Sequence, residues 1–412
     1  MINLFYDCYT ILNKVYSDKA YIKQAITNTQ IEEKNRASIV KICYGVLDKD
    51  IELSYYITYL APKSPKLAIR TILKISMYCI KYLEKKDYAV IQNAVELTKK
   101  LGKGGAGGFV NATLRKFAKT EIPLPKDNLK RLMVELSYPE FLLKEILKTF
   151  DEKRIKNIIE AVPKTTLAFY ETDGEKYLKE HNIEYNKTPY DNVFTVEKFA
   201  RNSDYDSGVY TYQSIGSVAI CDAVAPCKNL LDCCAAPGGK SVRLSYKCEN
   251  VLSWDIHEHR VELIKSYANR MNRKNIKAEC HDAKIFNPEL EKCFDAVLCD
   301  VPCSGTGVIS ENPDIKLNRS EEDLASINTD QLAILDTASK YVKNGGYLYY
   351  STCSILRREN SDIIEMFLTT HTDFEIENTD SKLPFEWFGY GNTFLPDISS
   401  GVGFYIAILK RK

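Results

Sequence analysis

Two short stretches of the 412-residue chain each set a cysteine among small polar residues, Cys299-Asp-Val-Pro-Cys-Ser-Gly-Thr-Gly307 and Tyr350-Ser-Thr-Cys-Ser354. A thiol in such a loop is within reach of a ligand, whereas a cysteine inside an apolar run is a small buried hydrophobe. Together with Asp300, these thiols suit methylation at C5 of a pyrimidine. That carbon is a poor nucleophile. A thiolate adding at C6 makes it enamine-like, a carboxyl group near N3 favours the addition, and the sulfur leaves once the C5 proton is lost. The residues alone leave open which of Cys303 and Cys353 attacks.

A methyl donor needs a site of its own. Leu231-Asp-Cys-Cys-Ala-Ala-Pro-Gly-Gly-Lys-Ser241 reads as a strand, a turn of small residues and a helix start, which lets a ligand approach the backbone closely. Gly239-Lys240-Ser241 matches the end of a P-loop, but Cys234 stands where its first glycine must be. The GxGxxG pattern fails as well, with only Gly238 and Gly239 present. The turn therefore suits a nucleoside cofactor without phosphates, S-adenosylmethionine. An acid for the ribose is expected at the end of the next strand, roughly 20 residues on. Asp255 stands there, and Asp282 and Asp300 close the third and fourth strands. His257 and His259 point apart on a helix, so no metal site is expected.

A sheet must present these residues. Apolar runs at Asn229–Asp232, Val251–Trp254, Ala278–Cys280, Ala296–Cys299 and Gly346–Tyr350 alternate with helical segments, the pattern of a parallel, doubly wound sheet. The front of the chain is helical instead. Val90, Ala94, Leu97 and Leu101 form one helical stripe, and Ser64-Pro65 offers an N-cap and first-turn proline for a central helix through Leu83. Gly102, Gly104, Gly105, Gly107 and Gly108 predict a flexible connection before a helix over Phe109–Lys119. Leu129–Ala161 again reads as helical. Leu167–Tyr170, Tyr177–Lys179 and Val193–Val196 suggest a small mixed α/β module.

With 45% hydrophobic and 27% charged residues, the chain can bury real cores, which excludes wholesale disorder. Its net charge of +1 hides a division. Through Phe150 there are 25 Lys+Arg against 15 Asp+Glu, and after it 31 against 40. A basic front half suits contacts to RNA phosphates. Thirteen cysteines, none in CxxC pairs with zinc spacing, indicate a reducing compartment. No secretory signal and no uncharged apolar window of ~18 residues are visible, so a cytoplasmic protein without a membrane anchor is expected.

Ala235-Ala-Pro-Gly-Gly-Lys240, Asp300-Val-Pro-Cys-Ser-Gly-Thr-Gly307 and Tyr350-Ser-Thr-Cys-Ser-Ile355 together resemble the Sun family of RNA cytosine-5 methyltransferases. Pro313-Asp-Ile-Lys316 and Glu359-Asn360 extend the likeness. The front of the chain resembles a NusB-like RNA-binding domain at Arg36, Tyr44-Gly45, Gly108-Phe-Val-Asn-Ala112 and Leu114-Arg115. The resemblance implies an α/β fold, a Rossmann-like S-adenosylmethionine-dependent methyltransferase domain over 208–412. It would follow an all-helical NusB-like domain (1–125) and a small α/β module with a leading helix (126–207).

The resemblance also implies roles. Cys234, Ala235, Ala236, Pro237, Gly238, Gly239 and Lys240 would wrap S-adenosylmethionine, Asp255 would take its ribose, Asp282 its adenine side, and Asp300 would lie between cofactor and base. The nucleophile would be Cys353, while Cys303 assists release; Lys240 and Asp300 complete the catalytic set. The implied substrate is 16S ribosomal RNA, usually at cytosine-967 in the family, and the enzyme is expected to be a monomer. Transfer RNA as substrate, or a non-catalytic RNA-binding or ribosome-assembly role, are the alternatives. Three departures stand out: Ser214 after Gln213 where an acid is usual, Ala168-Phe169-Tyr170 in place of Arg-Val-Asn, and Val402 in place of aspartate before Gly403-Phe404.

Overall fold

The structure, a computed structural model, describes every residue except 1, 62, 198 and 379. Two compact units divide the chain: Met1–Lys148 with Ile309–Arg319, and Thr149–Val308 with Ser320–Lys412.

The first unit is helical. Its central helix, Leu67–Lys81, buries residues on nearly every side and packs against Ile2–Asp18, Glu33–Asp48, Asp50–Leu60, Asp87–Lys100 and Gly107–Phe117. Helix Leu67–Lys81 starts later than the sequence predicts. Lys66 occupies its N-cap and no side chain caps it, because the chain on either side of Pro65 stays extended and leaves Ser64 too far upstream. The glycine run is also more ordered than expected. Gly104–Ala106 form a 3₁₀ turn that continues into the helix Gly107–Phe117, since glycines held between two packed helices can take helical dihedrals as readily as others. Two buried carboxylates here are paired with lysines. Lys74 Nζ lies 2.5 Å from Asp50, which also accepts from Tyr16, and Lys81 bonds Glu52 at 2.7 Å. The segment 309–319 belongs to this unit: Lys316 Nζ bonds the Asp48 carbonyl and carboxylate, Asp314 accepts from the Ile22 N–H, and Leu317 packs on the helical core. Pro313-Asp-Ile-Lys316 therefore works structurally in the helical unit, although it lies between two stretches of the other.

The second unit carries a small antiparallel sheet and a large mixed one. In the small sheet, Thr165–Ala168 lies between Val193–Val196 and Thr211–Tyr212, with Tyr185–Lys187 at the edge. Tyr177–Lys179 falls in a helix, Gly174–Glu180. In the large sheet, β1 (Cys227–Asp232), β2 (Cys248–Asp255), β3 (Ile276–Cys280), β4 (Phe294–Asp300) and β5 (Val342–Thr352) are parallel neighbours in the order β3-β2-β1-β4-β5. All five apolar runs singled out in the sequence lie in these strands. The order reverses between β1 and β4, which opens a crevice at their carboxyl ends, where open α/β sheets bind ligands.

Beyond β5 the sheet turns antiparallel. Strand β6 (Phe404–Arg411) pairs with β5 and carries Asn392–Phe394 and Phe374–Glu377 on its far side. A run buried on both faces, as β6 is, carries no sign of its direction, so the parallel pattern could not foretell this edge.

Candidate active site

The crevice holds a cavity of about 340 Å³ lined by Cys234, Ala236, Asp255, Asp282, Asp300, Cys303 and Cys353, among others. Seven of the residues chosen from sequence thus open on one space. Ala235, Pro237, Gly238, Gly239 and Lys240 do not line it.

The turn after β1 is fixed by backbone bonds to its neighbours. Cys233 N–H donates to Leu298 O on β4 at 2.9 Å, and Ala235 N–H to Trp254 O on β2 at 2.8 Å. Gly238 adopts φ +105°, and a Cβ there would come within 3.1 Å of the Ile264 backbone. Only glycine lets the turn lie so close to the next helix while starting its own, Gly239–Leu244. The acids follow at strand ends. Asp255 closes β2, only 3% exposed, and accepts from the His257 N–H at 3.2 Å, with Arg260 3.4 Å away. Asp282 lies two residues past β3 and accepts from the Lys284 N–H at 2.9 Å. Ile256, Ala283 and Ile334 add apolar wall. A tight glycine turn, two acids along one edge and apolar walls between them fit the ribose, amino-acid and adenine parts of S-adenosylmethionine.

At the other end of the cavity, Asp300 closes β4 and accepts from Lys240 Nζ at 2.6 Å and from Ser351 Oγ at 2.7 Å. Burial alone would lower the Lys240 ammonium, but Asp300 outweighs it and holds the lysine above its usual range. Cys353, just past β5, and Cys303, three residues past β4, face one another with their sulfurs 3.1 Å apart. The hydrogen bond to Cys353 raises the Cys303 thiol well above the ordinary cysteine range, helped by burial and by the charge of Glu359.

The loops that carry the thiols interlock. Gly307 N–H donates to Cys353 O at 2.9 Å, and Gly403 N–H donates to Gly307 O at 2.7 Å. A Cβ on Gly307 would sit 2.1 Å from the Gly403 carbonyl oxygen, so neither glycine tolerates a side chain. His257 and His259 do not point apart as expected: His257 stands at the extended N-cap of the helix Glu258–Arg270 rather than inside it, and the two rings stack at 5.4 Å. Among the described residues no cluster of three His, Cys, Asp or Glu side chains could hold a metal ion.

A family model described as 16S rRNA methyltransferase RsmB/F matches residues 222–410, and one for the NusB family matches 3–119. The probable ribosomal RNA small subunit methyltransferase B of Bacillus subtilis (strain 168) is 32% identical, covering 97% of this chain and 96% of its own length. The chain belongs to the RsmB family of methyltransferases. The ribosomal RNA small subunit methyltransferase B of Proteus mirabilis (strain HI4320) is 28% identical over 93% of this chain and 92% of its own. Among solved structures, PH0851 superposes with a TM-score of 0.83 at 20% identity, covering 100% of this chain and 98% of its own. NSun6 from Pyrococcus horikoshii with SFG does so with a TM-score of 0.55 at 16% identity, covering 70% of this chain and 98% of its own. The fold is therefore a NusB-like helical domain joined to a Rossmann-like methyltransferase, and the chain is an S-adenosylmethionine-dependent RNA methyltransferase. No helix among the described residues is long and apolar enough to cross a membrane.

The departures from the family pattern all sit in structural positions. Ser214 caps the helix Ile215–Ala223, its side chain accepting from the Ser217 N–H. Phe169 is in the core of the small sheet, and Tyr170 stacks on Tyr246 at 4.4 Å and donates to Gln213 at 3.0 Å. Gln213 in turn donates to the Gly239 carbonyl, which braces the start of the helix after β1. Val402 is buried in the core.

Sequence reasoning passed over Asp232, the last residue of β1. It lies fully buried behind the turn and accepts from Ser241 Oγ at 2.6 Å, which ties the strand to the helix. Burial, reinforced by the charge of Asp300 and opposed by the Ser241 bond, pushes its carboxyl up to about 7. An acid raised in the folded state binds its proton more tightly there than in the unfolded chain, where it titrates near ~3.9. The stabilisation is fully present below that value and is lost as pH rises through about 7. Asp232→Asn, which copies the neutral form, is therefore expected to melt higher than wild type at pH 8, by up to roughly 4 kcal/mol of stability at ~1.4 kcal/mol per unit. The gap should narrow as pH falls below about 7 and close only near pH ~4, in thermal melts from pH 8 down to that value. A difference independent of pH would contradict the assignment.

Proposed function

We propose that this enzyme methylates C5 of a cytosine in 16S ribosomal RNA through a covalent Cys353–C6 adduct, at cytosine-967 as the family resemblance implies. The observation that carries the reading is the pair of thiols 3.1 Å apart, on the same cavity as Asp300 and the cofactor turn. Two reachable thiols and a carboxylate have no purpose in direct methylation of a ring nitrogen or a ribose hydroxyl. They suit a base that must first be activated by addition.

When bound, S-adenosylmethionine supplies an electrophilic methyl group on sulfur. Cys353 attacks C6 as the thiolate, and the electron pair of the C5–C6 double bond moves to C5. Asp300, held by Lys240 and Ser351, meets the base at N3 and stabilises the rearranged ring. C5 then takes the methyl group. Loss of the C5 proton to water restores the double bond as its C–H pair moves into the ring, and the Cys353 sulfur leaves with the C6–S pair, with Cys303 assisting that release. Asp255 and Asp282 hold the ribose and adenine sides of the cofactor, while Cys234 to Lys240 shape its cradle.

In the same reading the basic front domain (1–125) grips RNA phosphates, and 208–412 carries out the chemistry on an extruded or single-stranded base. The enzyme acts as a metal-free monomer in the cytoplasm. Bisulfite sequencing of total RNA with and without the gene tests the substrate. One cytosine of 16S ribosomal RNA should lose its protection. A lost mark in transfer RNA instead would move the substrate there, and no lost mark at all would reject C5 of cytosine as the target.

A further inference from the structure

Behind the two thiols lies a carboxylate that the reaction itself does not use. Glu359 is 0% exposed. One of its oxygens accepts from the Ser304 N–H at 2.7 Å; the other accepts from Ser304 Oγ at 2.5 Å and from Ser354 Oγ. Ser304 directly follows Cys303, and Ser354 directly follows Cys353. Gln331 Nε2, on the helix Glu321–Ser339, donates to Pro302 O at 3.0 Å and also approaches Glu359. The backbone of Glu359 is pinned as well, its carbonyl accepting from Tyr350 OH at 2.6 Å. Neighbouring Asn360 accepts from Thr352 Oγ1 at 2.6 Å and donates to Ser354 O at 2.9 Å.

These partners are hydroxyls and amides rather than a cation. A fully buried carboxylate costs several kcal/mol to desolvate, and neutral donors offset that only in part. An apolar residue of similar size would fill the space at less cost. What an apolar residue cannot do is join two loops that lie 50 residues apart in sequence and also set a negative charge on one side of the thiol pair. The groups facing Cys303 are Cys353 and Glu359, with the Gly305 backbone donating to it, whereas the Lys240 ammonium interacts with Cys353.

We propose that Glu359 is the positioning residue of the thiol pair: it clamps the Cys303 and Cys353 loops at contact distance, with Cys353 the attacking thiol. The proposal rests on the cytosine-5 reading for its division of labour, but not for its geometry. Glu359→Gln keeps the volume and one acceptor while removing the charge and half of the clamp.

The test follows Cys303 directly. The rate of its alkylation by iodoacetamide is measured against pH by peptide mapping, in the otherwise intact enzyme. With Glu359→Gln the midpoint for Cys303 should fall by about one unit or more, and turnover should drop about tenfold or more with the KM for RNA little changed. Glu359→Asp keeps the charge but shortens the reach, so turnover should fall while the alkylation midpoint stays near that of wild type. An unchanged midpoint and unchanged turnover in Glu359→Gln would overturn the proposal. A midpoint that moves equally at Cys303 and Cys353 would reduce Glu359 to a packing role. Should Glu359→Gln fail to fold, Ser304→Ala with Ser354→Ala removes the hydroxyl arms alone; a loss of turnover supports the clamp and wild-type turnover sinks it. Because alkylation needs no RNA, a shifted Cys303 profile in an enzyme that leaves cytosine unmethylated would uphold the positioning role and reject the substrate reading.

Discussion

Cys353→Ala should reduce methyl transfer to below about one-thousandth of the wild-type rate, since no other group can make C5 of cytosine nucleophilic. Cys303→Ala should behave differently. It leaves the attacking thiol in place and removes the group that assists its departure, so the enzyme should accumulate as a covalent complex with RNA, seen as a band resistant to denaturing gel conditions. The arrangement makes both outcomes sharp. The sulfurs are 3.1 Å apart, so each variant opens a small void without displacing a loop, because the loops are held by Glu359 and by the Gly307 and Gly403 backbone. Both variants should therefore melt near wild type. An adduct with Cys353→Ala, and none with Cys303→Ala, would exchange the two roles.

Asp300→Asn should carry the next largest effect. Asp300 lines the same cavity as Cys234, Cys303 and Cys353, and its carboxylate is oriented by Lys240 at 2.6 Å and Ser351 at 2.7 Å. Asparagine can still accept from Ser351, so the local structure survives. It cannot carry the charge or exchange a proton with a base, and it leaves the Lys240 ammonium without its counter-ion. Preorganised electrostatic groups of this kind contribute about 10² to 10³ in rate. Single-turnover measurements with RNA should show a fall of that order at saturating cofactor, together with a small loss of thermal stability from the uncompensated lysine. A rate within about threefold of wild type would remove Asp300 from the chemistry.

How much of this was legible depended on whether the signal was local. The turn Cys234–Lys240 could be read because its chemistry is local: small residues after a strand, then a helix start, with the failed phosphate motifs narrowing the ligand. The place of Asp255 on the cavity could be read because an acid at the end of the next strand follows the turn at a regular interval. Glu359 could not. Nothing near it in sequence says that a carboxylate will be buried against two serines that belong to different loops. Asp232 escaped for a similar reason, since a buried acid at a strand end looks like a solvated one until its surroundings are known. The helix starting at Leu67 and the reversed strand β6 show the other limit: proline and apolar patterning fix the kind of element, while its end and direction depend on neighbours.

The sequence by itself determined the fold class, the cofactor, the two thiols and the three strand-end acids, because strand periodicity and turn chemistry act over a few residues and survive in one dimension. It also held the division of charge between a basic front and an acidic remainder. Only the tertiary structure decided what depends on meeting across long separations. It brought Cys303 to Cys353 and Lys240 to Asp300, and it placed 309–319 with the helical unit. The physical reason is that a hydrogen bond or a charge pair acts over a few ångströms, and which residues come that close is set by strand order and packing rather than by spacing along the chain.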